Sequence, residues 1–235
     1  MKGMIRLHVE SPLSAGTLVE ATPGQAHYLG TVMRRGVGDT VCLFNGRDGA
    51  WAARIETLAR GRLCLRTEGL LQPQAAEPDL WLLFAPLKRD MTDLVVQKAT
   101  ELGVSAIVPV LTERSNTARI NEGRLRAIAI EAAEQSERVT VPTVHPLRPL
   151  ADILATWPAA RTLFVALERD QAVPVTPASG PSALLVGPEG GLGAADRALL
   201  ARAPFVRPVS LGARILRAET AAIVGLALLQ AVPFG

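Results

Sequence analysis

The chain has 235 residues, of which 49% are hydrophobic and 20% are charged. This balance is typical of a folded globular protein and excludes a disordered one. The formal net charge of +3 is too small to assign a partner by itself.

The positive charge is unevenly distributed. Residues 1–72 carry nine Lys/Arg and six Asp/Glu, a net charge of +3, whereas residues 73–235 carry sixteen of each. A local positive excess attracts phosphates, but a solvated arginine-rich face has the same composition. Charge alone leaves both interpretations open. If the excess binds RNA, the candidate contacts include Arg34, Arg35, Arg47 and Arg54.

Cysteine and histidine are too few for metal chemistry. Cys42 and Cys64 lie in apolar strand-like runs without CxxC spacing, and the chain has only three histidines. We therefore expect buried reduced thiols, no metal site and a reducing compartment, the cytoplasm. We also expect no signal peptide, because the apolar run 5–9 is too short and too mixed for one. We expect no membrane span, because the longest apolar run, 221–232, is too short.

The first 72 residues are predicted to form a small β-barrel with one helix. Alternating and apolar runs predict strands at 5–9, 40–44, 50–58 and 62–67. The helix is predicted from a capping box, with Thr22 as N-cap, Pro23 at the first position and Gln25 closing the box. Its expected apolar stripe is Ala26, Leu29, Val32 and Met33.

A Pro-punctuated linker, Gln72–Pro78, predicts a boundary between domains at 1–72 and 73–235. Beyond it, strands and helices alternate, which predicts a mostly parallel sheet covered on both faces. The predicted strands are 80–85, 107–110, 162–167, 183–186 and 206–209. The predicted helices are 91–102, 121–135, 194–203 and one from about 216, with Asn121 and Gly103 as cap residues.

Two glycine-bearing loops follow predicted strand ends, where ligands bind in open α/β sheets. In the first, 187–193, the glycines allow a ligand to approach the backbone, but a tight turn explains the same pattern. The loop matches neither GxGxxG nor a P-loop. The second, 210–220, leads into an apolar helix and carries Arg217 near the helix start. A cation there opposes the helix dipole, so its placement suggests a functional role, although a solvent-facing ion pair is the alternative.

These segments together resemble one family, the ribosomal RNA small subunit methyltransferase E enzymes of the SPOUT (trefoil-knot) superfamily. The matching stretches are QKATELGV at 97–104, EAAEQS at 131–136, GPEGG at 187–191 and LGARILRAET at 211–220, with HYLGTVMRRGVGD at 27–39 near the start. Four positions depart from the family pattern: Glu137, Leu192, Gly193 and Asp196. Gly193 with Asp196 makes a weaker capping box than the usual serine with glutamate, and the helix is expected to survive.

The resemblance implies a PUA-like or OB-like β-barrel at 1–72 that helps bind RNA, followed by a trefoil-knotted α/β domain at 73–235. It implies S-adenosylmethionine as cofactor, a homodimer formed by the C-terminal domain, and N3-methylation of a uridine in 16S rRNA of the small ribosomal subunit. The implied cofactor-binding residues are Leu167, Gly187, Pro188, Glu189, Gly190, Gly191, Ser210, Leu211, Gly212, Ile215, Leu216, Arg217 and Thr220. The strand end Ala166, Leu167 and Glu168 is expected to form a third wall of the cofactor site.

The chemistry of uridine N3 suggests roles for three of these side chains or their neighbours. N3 must lose a proton before it attacks a methyl group, so a cation beside the uracil carbonyls favours the reaction, and Arg217 is the candidate. The proton acceptor is Glu219 or Glu189, between which the sequence does not choose. Alternative functions are a ribose 2′-O methyltransferase, a non-catalytic RNA-binding assembly factor and a nucleotide-dependent oxidoreductase.

Overall fold

The computed structural model describes residues 4–59, 61–117, 119–167 and 173–231. The chain divides into two compact units, Met1–Ala76 with Ala133–Val141, and Glu77–Ala132 with Pro142–Gly235. Residues 73–79, where the sequence predicts a linker, have no regular secondary structure. The proposed domain boundary itself stays a prediction.

The first unit contains a five-stranded mixed sheet and one short helix. Its elements are β1 (Arg6–His8), β2 (Leu18–Ala21), α1 (Pro23–His27), β3 (Thr40–Phe44), β4 (Ala50–Ala59) and β5 (Arg62–Gln72). The strand order is β1-β3-β4-β5-β2, with β1 parallel to β3 and the other pairs antiparallel. Three register shifts between β4 and β5 increase the local twist, which curves the sheet around an aliphatic core.

The capping box of α1 forms as predicted, but the stripe predicted for its helix is wrong in its second half. Gln25 donates its backbone N–H to Thr22 Oγ1 at 3.2 Å, and the Thr22 backbone N–H donates to Gln25 Oε1 at 3.0 Å. Ala26 and Leu29 are buried, whereas Val32 is 58% exposed and Met33 36%. The reason is a π-helical turn at Tyr28–Val32, which lengthens the turn and rotates the later residues out of the core.

The second unit is a parallel α/β sheet with helices between its strands. Its elements are β6 (Leu80–Phe84), α2 (Arg89–Glu101), β7 (Ala106–Leu111), α3 (Glu122–Gln135), β8 (Thr143–Val144), β9 (Arg148–Pro149), α4 (Leu150–Ala155), β10 (Thr162–Ala166), β11 (Val173–Pro174), β12 (Ser182–Val186), α5 (Ala194–Ala201), β13 (Val206–Ser210) and α6 (Ala218–Leu229). The last residues of α3, from Ala133, belong to the first unit.

Every strand pair recorded in the described part of this sheet is parallel, as the sequence predicts. The order is β11-β13-β10-β12-β6-β7-β8, and β9 pairs with the end of β7. Both predicted caps form: Asn121 Oδ1 accepts from the Arg124 amide at 3.0 Å, and Gly103 adopts a φ of 78° after α2. Five elements were not predicted from the sequence, because they are too short to show a periodic pattern of apolar residues: β2, β8, β9, β11 and α4.

A buried arginine ties strands together at the amino edge of this sheet. Arg161, whose side chain is 7% exposed, donates to Asp79 Oδ2 at 2.6 Å and to the Ser182 carbonyl at 3.0 Å. Its guanidinium carbon lies 3.8 Å from the ring centroid of Trp81. The hydrogen bond from Arg161 lowers the pKa of Asp79 below its usual value. These contacts join the starts of β6, β10 and β12.

The two cysteines are not bonded to each other. Burial raises the pKa of the Cys42 thiol. Cys64 is only half-buried, which corrects the expectation that both are buried. Among the described helices, none combines the length and the apolar character that a membrane span requires.

Candidate active site

Three neighbouring parallel strands end side by side in the second unit. Val165 of β10 pairs with Leu185 of β12, and Ala166 of β10 pairs with Val209 of β13. Because all three strands point the same way, the loops that follow them leave from one edge of the sheet. The chain also crosses back over β10 between β12 and β13, and such switch points are where open α/β sheets bind ligands.

These loops enclose a cavity of about 800 Å³, within the range of small-molecule sites. Most of its walls come from the segments after β10, β12 and β13. The lining residues are Arg114, Ala166, Leu167, Val186, Gly187, Pro188, Glu189, Gly190, Gly191, Leu192, Arg197, Ser210, Leu211, Gly212, Ala213, Arg214, Ile215, Leu216, Arg217, Ala218 and Ala221. Glu168 lies outside the described residues.

The loop after β12 forms a tight turn and also lines the cavity. Its glycines therefore fit both interpretations, a tight turn and a site where a ligand can approach the backbone. Gly191 donates its N–H to the Pro188 carbonyl at 2.8 Å and has a φ of 69°, a conformation that favours glycine. A β-carbon at Gly187 would lie 3.2 Å from the Leu192 side chain, which is a tight contact, so packing also favours glycine there.

The loop after β13 ends at the start of α6. Gly212, with a φ of 122°, donates its N–H to Ser210 Oγ at 3.3 Å. Arg217 occupies the N-cap of α6, and its backbone carbonyl accepts from Ala221 at 2.8 Å. Its side chain is exposed and forms no hydrogen bond or ion pair with any residue that the structure describes. The guanidinium therefore remains available to a ligand in the cavity.

Most of the thirteen residues expected to bind the cofactor line the cavity; among them are Glu189 and Arg217, which are also catalytic candidates. Glu219 and Thr220 do not line it. The reason is helical geometry: each residue of α6 turns by about 100°, so when Ala218 and Ala221 face the cavity the two residues between them point elsewhere. Glu189 therefore lines the cavity, whereas Glu219 does not.

Sequence reasoning missed several residues of the wall. Leu192, Ala213, Arg214 and Ala218 lie inside the predicted loops, whereas Ala221 was assigned only to the helix. Arg114 lies far from both glycine loops in sequence, and Arg197 lies within a predicted helix, so neither gave a signal. Among the described residues, four arginines, at positions 114, 197, 214 and 217, line the cavity together with one carboxylate, that of Glu189. The described part of the wall is therefore rich in arginine.

Two of the motifs that carry the resemblance do not reach the cavity. In 97–104, Lys98 pairs with Glu101 at 2.8 Å, and the buried Thr100 donates to the Val96 carbonyl. In 131–136, Ala132 and Ala133 are buried, and Glu134 accepts the His8 amide at 2.8 Å. Both motifs have structural roles in the chain. Among the described residues, no cluster of three His, Cys, Asp or Glu could hold a metal.

The arginines of the first unit differ in how far their charge is neutralised. Arg54 pairs with Glu68 at 2.6 Å, and Arg47 donates to the Glu10 carbonyl at 2.9 Å. Arg34 and Arg35 form no ion pair among the described residues. Arg34 has a φ of 51°, a strained conformation for arginine. Arg47 and the pair Arg34–Arg35 flank opposite ends of β3, so they do not form one cluster.

Family models and sequence relatives match this protein along nearly the whole chain. Residues 75–230 match the family model of an RNA methyltransferase domain, and residues 22–68 match an RNA methyltransferase PUA domain. The chain is 34% identical over 227 residues to ribosomal RNA small subunit methyltransferase E from Rickettsia conorii, covering 94% of this chain and 93% of that one. The Synechocystis protein of the same name is 33% identical, covering 91% and 73%.

Solved structures agree with the sequence relatives. Ribosomal RNA small subunit methyltransferase E from Neisseria gonorrhoeae, bound to S-adenosylmethionine, superposes with a TM-score of 0.88 at 30% identity, covering 95% of both chains. A methyltransferase from Legionella pneumophila with the same cofactor gives 0.86 at 29% identity, covering 96% of both. The chain therefore belongs to the ribosomal RNA small subunit methyltransferase E family, and it is an RNA methyltransferase.

Proposed function

We propose that this chain transfers the methyl group of S-adenosylmethionine to N3 of a uridine in 16S rRNA of the small ribosomal subunit. The observation that carries the proposal is the cavity between the two glycine loops, with Arg217 at its wall and without an ion-pair partner among the described residues. Because ribosomal RNA is the substrate, we place the reaction in the cytoplasm.

The cavity fits S-adenosylmethionine in size and in surface. Its volume of about 800 Å³ accommodates a nucleoside with an amino-acid side arm. A β-carbon at Gly191 or Gly212 would meet no atom within 4 Å, so a ligand can approach the backbone closely at both positions. Apolar side chains such as Leu211, Ile215 and Leu216 provide a wall for an adenine ring. When bound, the cofactor supplies an electrophilic methyl group on a sulfonium.

Arg217 and Glu189 have the charges that the reaction at N3 requires. The proton on N3 must leave before the nitrogen becomes nucleophilic, and a carboxylate at Glu189 accepts it. Arg217 stabilises the negative charge that spreads over the uracil carbonyls as the proton leaves. The bond from N3 to the methyl carbon then forms as the carbon–sulfur bond breaks. Glu219 is the weaker candidate for the base because it lies outside the cavity wall.

The target base must leave its neighbours to enter the cavity, as in other base-modifying enzymes. The arginine-rich wall suits the phosphates that flank such a base. In the first unit, we assign additional phosphate contacts to Arg34 and Arg35 ahead of Arg47 and Arg54. Among the described residues the first two have no carboxylate partner, whereas Arg54 is already paired with Glu68.

We also propose that the protein is a homodimer formed through α6. This helix is apolar over most of its length, yet Ile223, Val224 and Leu228 stay partly exposed in the single chain. One buried face would not require so few polar positions. A second copy of the chain would cover these side chains.

The function is tested with unmodified small subunits and labelled S-adenosylmethionine. We expect label in the 16S rRNA and, after digestion, 3-methyluridine in mass spectrometry. A ribose-methylated nucleoside would replace the N3 assignment by the 2′-O alternative. Binding of subunits without any transfer would favour the non-catalytic assembly factor.

Arg217→Ala is expected to slow single-turnover methylation by about a hundredfold to a thousandfold, because it removes one preorganised donor at the developing anion. Cofactor affinity should change far less, and higher pH should partly restore the rate because more uridine ionises unaided. Arg217→Lys should recover little, since an ammonium lacks the planar fork. Equal loss of rate and cofactor affinity in Arg217→Ala would make Arg217 a cofactor-binding residue instead.

Replacing Arg34 and Arg35 with glutamine should weaken binding to small subunits and flatten its salt dependence. Removing one arginine–phosphate interaction is expected to reduce the slope by about 0.7–0.9 between about 50 and 200 mM salt. Arg66→Gln is the matched control, because Arg66 is paired with Glu56 in the same unit. An unchanged slope in the double variant would remove Arg34 and Arg35 from the RNA footprint.

Sedimentation at micromolar concentration should give about twice the chain mass of 24.9 kDa. Ile223→Glu should shift the protein toward the monomer, because it places a charge among the apolar side chains that a dimer would bury. An active wild-type protein that sediments as a monomer is incompatible with the proposed dimer.

A further inference from the structure

The segment that follows β7 contacts the glycine loop after β12 and the start of α5 at three points. The Glu113 amide donates to Asp196 Oδ2 at 3.0 Å, and Glu113 Oε2 accepts from the Ala195 amide at 2.9 Å. Arg114 Nη1 donates to the Gly190 carbonyl at 2.7 Å. The two segments are more than seventy residues apart in the chain, so these contacts exist only in the folded second unit.

Glu113 takes the place of the side chain that Gly193 lacks. Gly193 is the N-cap of α5, and an N-cap side chain normally accepts a hydrogen bond from the second or third helical amide. Here the carboxylate of Glu113 accepts from Ala195, the second helical residue. A β-carbon at Gly193 would overlap Glu113 Oε2, so the carboxylate occupies the space of the missing side chain.

Asp196 completes this cap from within the helix. Its Oδ2 accepts from the Gly193 amide at 3.1 Å as well as from Glu113. Two carboxylates at a helix N-terminus are also favourable for the helix dipole. The result is a closed set of hydrogen bonds that joins the end of the 187–193 loop to the segment after β7.

Arg114 acts on the turn of the same loop. A charge-assisted hydrogen bond holds the Gly190 carbonyl, one residue before Gly191 with its positive φ. The stem of Arg114 also packs here, since a β-carbon at Gly190 would lie 3.7 Å from its Cδ. The orientation of the turn therefore depends on Arg114 at one end and on Glu113 at the other.

We propose that Glu113 and Arg114 hold the 187–193 loop in the conformation that binds S-adenosylmethionine, Glu113 as a positioning residue outside the cavity wall and Arg114 from within that wall. The inference rests on the proposed function, because it assigns the cofactor to this loop. Glu113 is not part of the cavity wall, so it acts through the loop and not by touching the ligand. Gly193 and Glu113 form a matched pair, because the side chain that Gly193 lacks leaves the space that the Glu113 carboxylate occupies.

The pair is tested by calorimetric titration of S-adenosylmethionine into four proteins: wild type, Glu113→Ala, Gly193→Ser and the double variant. Each single change should weaken binding by about fivefold, which is the fold-change equivalent of the stability that a lost cap usually costs. Glu113→Ala removes the acceptor, and Gly193→Ser displaces the carboxylate. The double variant should recover most of the affinity, because the serine hydroxyl caps α5 in the space that Glu113 leaves. Glu113→Gln should bind nearly normally, since its amide oxygen still accepts.

A double variant that binds as weakly as the product of the single effects would overturn the inference. So would unchanged affinity in Glu113→Ala. Urea unfolding of the same variants, with Glu131→Ala on exposed α3 surface as control, shows that each protein remains folded at the titration temperature. If the wild-type chain itself binds no S-adenosylmethionine, the proposed function fails, which is distinct from failure of the inference alone.

Arg114 is tested in the same assay. Arg114→Ala should weaken S-adenosylmethionine binding by about tenfold, as expected for a lost hydrogen bond from a charged donor. Arg114→Lys should recover part of this loss, because an ammonium can still reach the carbonyl. Arg202→Ala, at the opposite end of α5, is the matched control and should bind normally. Equal affinity in Arg114→Ala and wild type would exclude this role for Arg114.

Discussion

Parallel pairing of β12, β10 and β13 is the constraint from which the candidate active site follows. The ladders align Val165 with Leu185 and Ala166 with Val209, so the three strands end at the same level. The end of β10 and the loops after β12 and β13, which are separate in sequence, then line one cavity. At the opposite edge, Arg161 binds Asp79 and the Ser182 carbonyl and joins the starts of β10, β12 and β6. The alignment of the strands is thus supported at one edge, and the cavity forms at the other.

Helix packing also supports the loops. A β-carbon at Gly225 of α6 would lie 2.6 Å from a terminal methyl of Leu184 of β12, so the Leu184 side chain packs in the space that this glycine leaves. Since α6 begins directly after the 211–217 loop, this close contact places Arg217 relative to the loop after β12. An arginine at a helix N-terminus is unfavourable for the helix dipole. The buried apolar residues of α6 offset that cost, and the exposed guanidinium has no ion-pair partner among the described residues.

The cavity combines backbone turns that leave space for a ligand with a wall that is rich in arginine. Gly191 and Gly212 have positive φ values, and a β-carbon at either position would meet open space. Among the described residues, four arginines and one carboxylate, that of Glu189, line the cavity. An arginine-rich wall suits phosphates and an anionic base, and in the proposed reaction the carboxylate accepts one proton. The same residue types in another arrangement would form solvated surface ion pairs, as Arg54 and Arg66 do in the first unit.

The sequence by itself determined the parallel α/β sheet, the capping boxes and both glycine loops, because each depends on local periodicity or on a backbone conformation that few residues adopt. It also identified the family, through motifs that occur in the right order. The tertiary structure decided what depends on distant contacts. A π-helical turn moved Val32 and Met33 out of the core, and helical rotation placed Glu219 outside the cavity that Glu189 lines. Arg114 and Glu113 reached the loop across more than seventy residues. No local pattern encodes such contacts, since they arise only when strands far apart in the chain pair in one sheet.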